Sequence, residues 1–135
     1  MALLTWDSKY SVNIGEIDAQ HRKLFDLVNN LHDAMKSGQG KNVMGKILSE
    51  LVDYTVYHFR TEEDLFQKHG YPGYLNHKKE HDDLTKQVLD LKGRSDKGEM
   101  IVTVEVMNFL KNWLNNHILG TDKKYSQFLN GKGVV

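Results

Sequence analysis

The chain has 135 residues, enough for one domain with a real core. Its 18 Lys and Arg balance 18 Asp and Glu, which leaves no basic footprint for nucleic acid and no polybasic patch for a membrane. The absence of cysteine excludes disulfides, thiolate metal sites and cysteine nucleophiles, whereas seven histidines invite a search for a pattern in their positions.

The opening MALLTWDSKY has neither the charged n-region nor the long apolar run of a signal peptide. No apolar stretch approaches the roughly 20 residues that span a bilayer, so a protein of the cytoplasm with no membrane insertion is expected. Residues 1–17 read as an N-terminal arm, with Trp6, Tyr10, Val12, Ile14 and Ile17 as apolar anchors and Asn13 and Gly15 suited to turns.

Asp18 is the expected N-cap of a first helix over 18–37, whose stripe is Leu24, Phe25, Val28, Leu31 and Met35, with His21 on the same face. A second helix over 42–69 carries Ile47, Leu48, Leu51, Tyr54, Thr55, His58, Glu62, Leu65 and Phe66, and Gly70 closes it as a C′ glycine. Pro72 stands where a third helix would begin, expected over 73–93, with His77, His81, Leu84, Val88 and Leu91 at alternating spacings of four and three. Residues 93–98 read as a loop. A fourth helix over 99–119 carries Val106, Leu110, Trp113, Leu114, His117 and Ile118 and is expected to end at Gly120. In the C-terminal segment 120–135, a short helix around Asp122–Phe128 and a loose tail from Asn130 are expected. Four helices with short loops predict an all-α antiparallel up-down-up-down bundle, one domain over 1–135.

Level along the bundle matters as much as face. At 1.5 Å per residue, His21, His58, Glu62, His77, His81 and His117 all fall in the half that holds the loop between helices two and three. Asp122, just past Gly120, can fold back below His117. His32 and His69 each lie eleven residues beyond a member of the set, on nearly its face but at another level, and read as non-ligands. Glu63 lies about 140° from His58 around its helix and points elsewhere, and Glu80, about 60° from His77, reads as solvated. Five imidazoles and two carboxylates exceed one ion's needs. Two six-coordinate ions bridged by both carboxylates and one oxygen would leave a single position open, and such nitrogen- and oxygen-rich ligation suits iron or manganese. An open position is where a small ligand such as O2 would bind.

At this point the chain resembles the hemerythrins, and more closely the single-domain bacteriohemerythrins. The resemblance rests on His21 in IDAQHRKLF, His58 and Glu62 in HFRTEE, His77 and His81 in HKKEH, and His117 with Asp122 in HILGTD. It covers residues 6–125 and departs at Asn13, where the bacterial family often has glycine. It implies a non-haem centre of two Fe ions with an oxo or hydroxo bridge. His77, His81 and His117 would hold a saturated iron, His21 and His58 an open one, and Glu62 and Asp122 would bridge. It implies reversible O2 binding for transport, storage or delivery, without enzymatic turnover, in a pocket lined by Leu24, Phe59, Trp113 and Ile118. An oxygen-consuming enzyme as recipient and a monomeric state are expected. Tyr125 reads equally well as a hydrogen-bonder to the site and as a packing tyrosine. The alternatives are a di-iron peroxidase, oxidase or nitric oxide-handling enzyme on the same scaffold, or an O2 or redox sensor. The sensor is disfavoured because the match leaves no residues for a signalling partner.

Overall fold

The structure, a computed structural model, describes residues 3–38, 41–97 and 104–135. Among them every regular element is helical: α1 Gly15–Lys36, α2 Lys41–His69, α3 Tyr74–Asp96, α4 Val104–Asn116 and α5 Lys123–Gly131, with a single 3-10 turn at Ser8–Tyr10. A π-helical segment, His117–Asp122, joins α4 to α5. α1 packs on α2, α2 on α3 and α4 back on α1, which gives the expected antiparallel four-helix bundle. Residues 98–103, which carry the expected start of the fourth helix, lie outside the described residues.

The arm is bound to the bundle as its anchors predict. Val12, Ile14 and Ile17 are fully buried, although Ile17 already belongs to α1, and Tyr10 meets Phe25 edge-on at 4.9 Å. Leu4 pairs through its backbone N–H and C=O with the Asn29 amide, both at 2.8 Å. The Tyr10 hydroxyl donates to Asn115 on the opposite helix, 2.7 Å away.

The start of α1 corrects the expected cap. The helix begins at Gly15, so Asp18 sits inside its first turn, with its N–H donating to Ile14 O. The carboxylate reaches back to the arm instead, accepting from the Ser11 hydroxyl at 2.6 Å and the Val12 N–H at 2.9 Å. That fixes the turn at Asn13, which takes a left-handed φ of 58°, a conformation asparagine adopts more cheaply than most residues.

Gly70 does close α2. With φ 67° it lets Tyr71 N–H donate to Phe66 O at 2.9 Å while the two rings pack 5.0 Å apart, a Schellman closure with its apolar contact. The expected loop after residue 93 is instead the last turn of α3. Lys97 N–H bonds Gly93 O and Lys92 pairs with Asp96, because one glycine costs only about 1 kcal/mol in a helix already nucleated. Gly120 does not end a helix either, since the chain passes through it within the π segment. The tail is tied down: Gly133 at φ 85° lets Val134 N–H reach Leu129 O, and Asn130 donates to Asn13 O of the arm.

Two apolar clusters result. The larger runs through Leu24, Phe25, Val28, Leu51, Phe59, Leu110, Trp113 and Ile118. The smaller, Val12, Ile14, Ile17, Phe66, Tyr125 and Leu129, closes the end reached by the arm and α5. The polar site lies between them.

Candidate metal centre

Helix geometry and the π segment bring the predicted ligands together. His58 and Glu62, four residues apart on α2, lie about 40° apart around the helix, as do His77 and His81 on α3. α1 supplies His21. His117 and Asp122 are five residues apart, a spacing that would put them about 140° apart on an α-helix. The wider i→i+5 turn between them brings both inward, a use typical of π segments. All seven side chains are buried, none more than 3% exposed.

Their donor atoms converge on two points. Glu62, His77, His81, His117 and Asp122 offer one ligand atom each within 4.8 Å of one another, and so do His21, His58, Glu62 and Asp122. The two carboxylates are common to both sets. Asp122 divides its oxygens: Oδ1 faces His77 Nε2 at 3.0 Å and His117 Nε2 at 3.1 Å, while Oδ2 faces His21 Nε2 at 3.0 Å. Glu62 Oε1 stands 3.2 Å from both His58 Nε2 and His81 Nε2, one histidine from each set.

These approaches are not hydrogen bonds. All five Nε2 atoms, Glu62 Oε1 and both Asp122 oxygens are buried and lack a hydrogen-bond partner. So many orphaned polar atoms in an apolar interior would be costly. Neighbouring ligands about 2.1 Å from an octahedral ion are about 3.0 Å apart, close to the spacings seen here. The donor set therefore fits two metal ions sharing two carboxylates.

The other ring nitrogens show why Nε2 is the free one. His58 Nδ1 bonds Gln20 Oε1 at 2.7 Å, His81 Nδ1 bonds Glu63 Oε2 at 2.9 Å, and His117 Nδ1 bonds Glu80 Oε1 at 2.7 Å. A proton held on Nδ1 leaves the Nε2 lone pair aimed at the centre. The expectation for Glu63 holds and that for Glu80 is corrected. Glu63 does turn away from His58, but toward His81 on the next helix. Glu80 is only partly solvated: it sits in the wall of a cleft of about 390 Å³ and also accepts from the Thr121 hydroxyl at 2.8 and 2.9 Å. Angles around one helix sort the ligands and say nothing about the neighbouring helix that a rejected side chain meets. Gln20 carried no signal in the sequence beyond standing beside His21.

Charge accounts for the titration of the group. Burial would raise the Asp122 and Glu62 carboxyls, and Asp122 adds to the rise at Glu62. The surrounding imidazoles outweigh this and hold both well below the usual carboxylate range. Burial would depress His117, but Asp122 and Glu80 raise it to about 10. His81 is raised against its burial by Glu62 and Glu63, whereas burial dominates at His58 and lowers it. Glu80 is held low, chiefly by its bond to His117.

Tyr125 is a partner of the site. Fully buried, it donates its hydroxyl to Glu62 Oε2, and burial beside Glu62 and Asp122 pushes its pKa well above the phenol value. Leu24, Phe59, Trp113 and Ile118 are all buried in the larger apolar cluster. Phe59 stacks on His81 at 3.8 Å, nearly parallel, and Trp113 meets Phe59 edge-on at 6.3 Å. His32 and His69 belong to neither donor set.

Comparison with known proteins agrees with this arrangement. A family model described as the hemerythrin HHE cation binding domain matches residues 12–129. The chain is 42% identical over 130 residues to a bacteriohemerythrin of Methylococcus capsulatus, covering 96% of this chain and 98% of the relative. It is 40% identical over 124 residues to a hemerythrin-like protein of Naegleria gruberi, covering 92% of each. A solved wild-type hemerythrin superposes with a TM-score of 0.90 at 41% identity, covering 95% of this chain and 98% of that one. The chain belongs to the hemerythrin family, among the bacteriohemerythrins.

Proposed function

We propose that this protein binds O2 reversibly at a non-haem di-iron centre, for transport, storage or delivery. The observation that carries the reading is the pair of donor sets: three histidines on one side, two on the other, two carboxylates between, and eight orphaned buried donor atoms. His77, His81 and His117 would hold one iron and His21 and His58 the other, with Glu62 and Asp122, common to both donor sets, shared between them. The two-histidine set offers one protein ligand fewer, and an ion held there would keep room for a small ligand such as O2. Two ferrous ions supply the electrons that reversible O2 binding draws on.

The chain's own part is to orient and to exclude. Tyr125 fixes Glu62 through its hydroxyl, and Gln20, Glu63 and Glu80 fix three imidazoles. Leu24, Phe59, Trp113 and Ile118 keep water and stray protons from the bound gas. Five neutral imidazoles against two carboxylates give weak support to high-valent iron, which favours binding over oxidation chemistry; an oxidase or peroxidase would be served by more anionic ligands. Among the described residues no helix is long and apolar enough to cross a membrane. We place the protein in the cytoplasm as a monomer of one domain, handing O2 to an oxygen-consuming enzyme.

Iron analysis together with absorption spectra under air and argon tests the reading. Close to two irons per chain, and charge-transfer bands that appear in air and vanish under argon over many cycles, are expected. Bleaching to the diferric form in the first cycle, with release of peroxide or oxidised substrate, would overturn the binding reading. Trp113→Ala should keep its iron and autoxidise faster; unchanged autoxidation and O2 affinity would remove Trp113 from the pocket.

A further inference from the structure

We infer that the two metal positions fill in order, the three-histidine position first, and that Glu63, Glu80 and Gln20 set the gap between the two steps. The inference rests on the two-ion reading above and deepens it.

The groups behind the ligands differ from one side to the other. On the three-histidine side, two of the rings back onto carboxylates: His81 onto Glu63 and His117 onto Glu80. Glu80 is itself aimed by the Thr121 hydroxyl, which donates to it. On the two-histidine side, His58 backs onto the neutral amide oxygen of Gln20, whose own Nε2 lies 3.4 Å from Thr61 Oγ1. His21 Nδ1 is buried and bonds nothing.

A carboxylate behind an imidazole does two things. It fixes the ring, as an amide oxygen also does, and its charge makes the ring a stronger donor, which an amide does not. Partners of this kind are worth about 10–100-fold in metal affinity when removed. The three-histidine position thus holds one ligand more and both of the anionic partners. The two-histidine position holds one ring fixed by a neutral group and one ring fixed only by packing. Both differences act in the same direction, so the first ion settles among His77, His81 and His117, and the second ion is the labile one.

Chelator-treated protein titrated with Co(II) without oxygen, followed by native mass spectrometry and Co(II) absorption, tests this. At one equivalent the one-ion species should be well above the half expected of two identical independent sites. His21→Ala should keep the first step and lose the second, which locates the first ion. Glu63→Gln and Glu80→Gln should each weaken the first step about 10–100-fold. Gln20→Glu, which gives His58 a carboxylate like its counterparts, should tighten the second step about tenfold and narrow the gap. A merely structural Gln20 would instead give weaker binding in that variant. Two ions taken up with a statistical distribution, and Gln variants that bind like the parent, would overturn the order while leaving the two-ion reading intact. Failure to bind Co(II) at all, with the helical circular dichroism preserved, would overturn both.

Discussion

Replacing Tyr125 by phenylalanine removes one oxygen atom from the middle of the molecule and little else. The ring keeps its neighbours, Phe66 at 5.0 Å and His77 at 5.5 Å. What is lost is the hydroxyl that donates to Glu62 Oε2, in a place where neither residue has any exposed surface. A hydrogen bond to a charged acceptor contributes about 1.5–3 kcal/mol, and a buried acceptor left unpaired loses that in full. At about 4 °C per kcal/mol for a chain of this length, Tyr125→Phe should melt roughly 6–12 °C lower than the parent. Urea unfolding of chelator-treated protein, followed by far-ultraviolet circular dichroism, gives the free energy directly. The same variant should bind metal about tenfold more weakly, because Glu62 is no longer held in place between the two donor sets. A loss under about 0.5 kcal/mol together with unchanged metal affinity would refute the argument, since it would mean that Glu62 finds another donor.

The remaining predictions concern pH and the arm. His117 and His81 are raised by their carboxylate partners, so what they add to the stability of chelator-treated protein is complete below the ordinary histidine pKa of about 6.5. For His117 it disappears as pH climbs through about 10. Asp122 and Glu62 are depressed, so their share is present above about pH 4 and is lost in acid. His58, lowered by burial, also loses stability as pH falls below its ordinary range. Melting temperature without metal should therefore fall on the alkaline side. Bound metal needs the deprotonated rings, so the stabilisation it gives should grow over the same span. A gap between loaded and chelated protein that narrows from neutral to alkaline pH would contradict this. Asp18→Ala should cost about 1–2 kcal/mol in urea unfolding, because the Val12 N–H and the Ser11 hydroxyl both lose their acceptor. Asn13→Gly should be neutral or mildly stabilising and Asn13→Ala destabilising by about 1 kcal/mol, given the positive φ; the reverse order in melting would contradict the backbone assignment.

The candidate donor set was legible because a shared centre imposes both a face and a level on side chains that are far apart in sequence. His21, His58, Glu62, His77, His81 and His117 satisfy both conditions, and His32 and His69 satisfy only one. Helix ends were less legible. Asp18 looks like a cap yet bonds the arm, Gly93 looks like a stop yet sits within a turn of α3, and Gly120 looks like a stop yet lies in a widened helix. In each case a local preference worth about 1 kcal/mol gives way to the structure on either side of it. The partners of the ligands were the hardest to see. Gln20, Glu63 and Glu80 reach across to a different helix, and the periodicity of one helix carries no record of the rotation of the next.

The π segment makes the chain unequally tolerant of changes in length. Such a segment is an α-helix that has taken in one extra residue, so the wide turn between His117 and Asp122 absorbs a phase shift that would otherwise rotate α5. Removing Gly120, whose missing side chain leaves only open space around it, would return the segment to ordinary α-helix. Tyr125 and Leu129 would keep their facing, so folding should survive while the fine placement of Asp122 is lost. Adding a residue within α4 offers no such slack. Everything downstream would turn by about 100°, carrying His117, Asp122 and Tyr125 away from the centre together. Loss of a residue here and gain of one a turn earlier, equal as edits to the chain, are thus far apart in consequence.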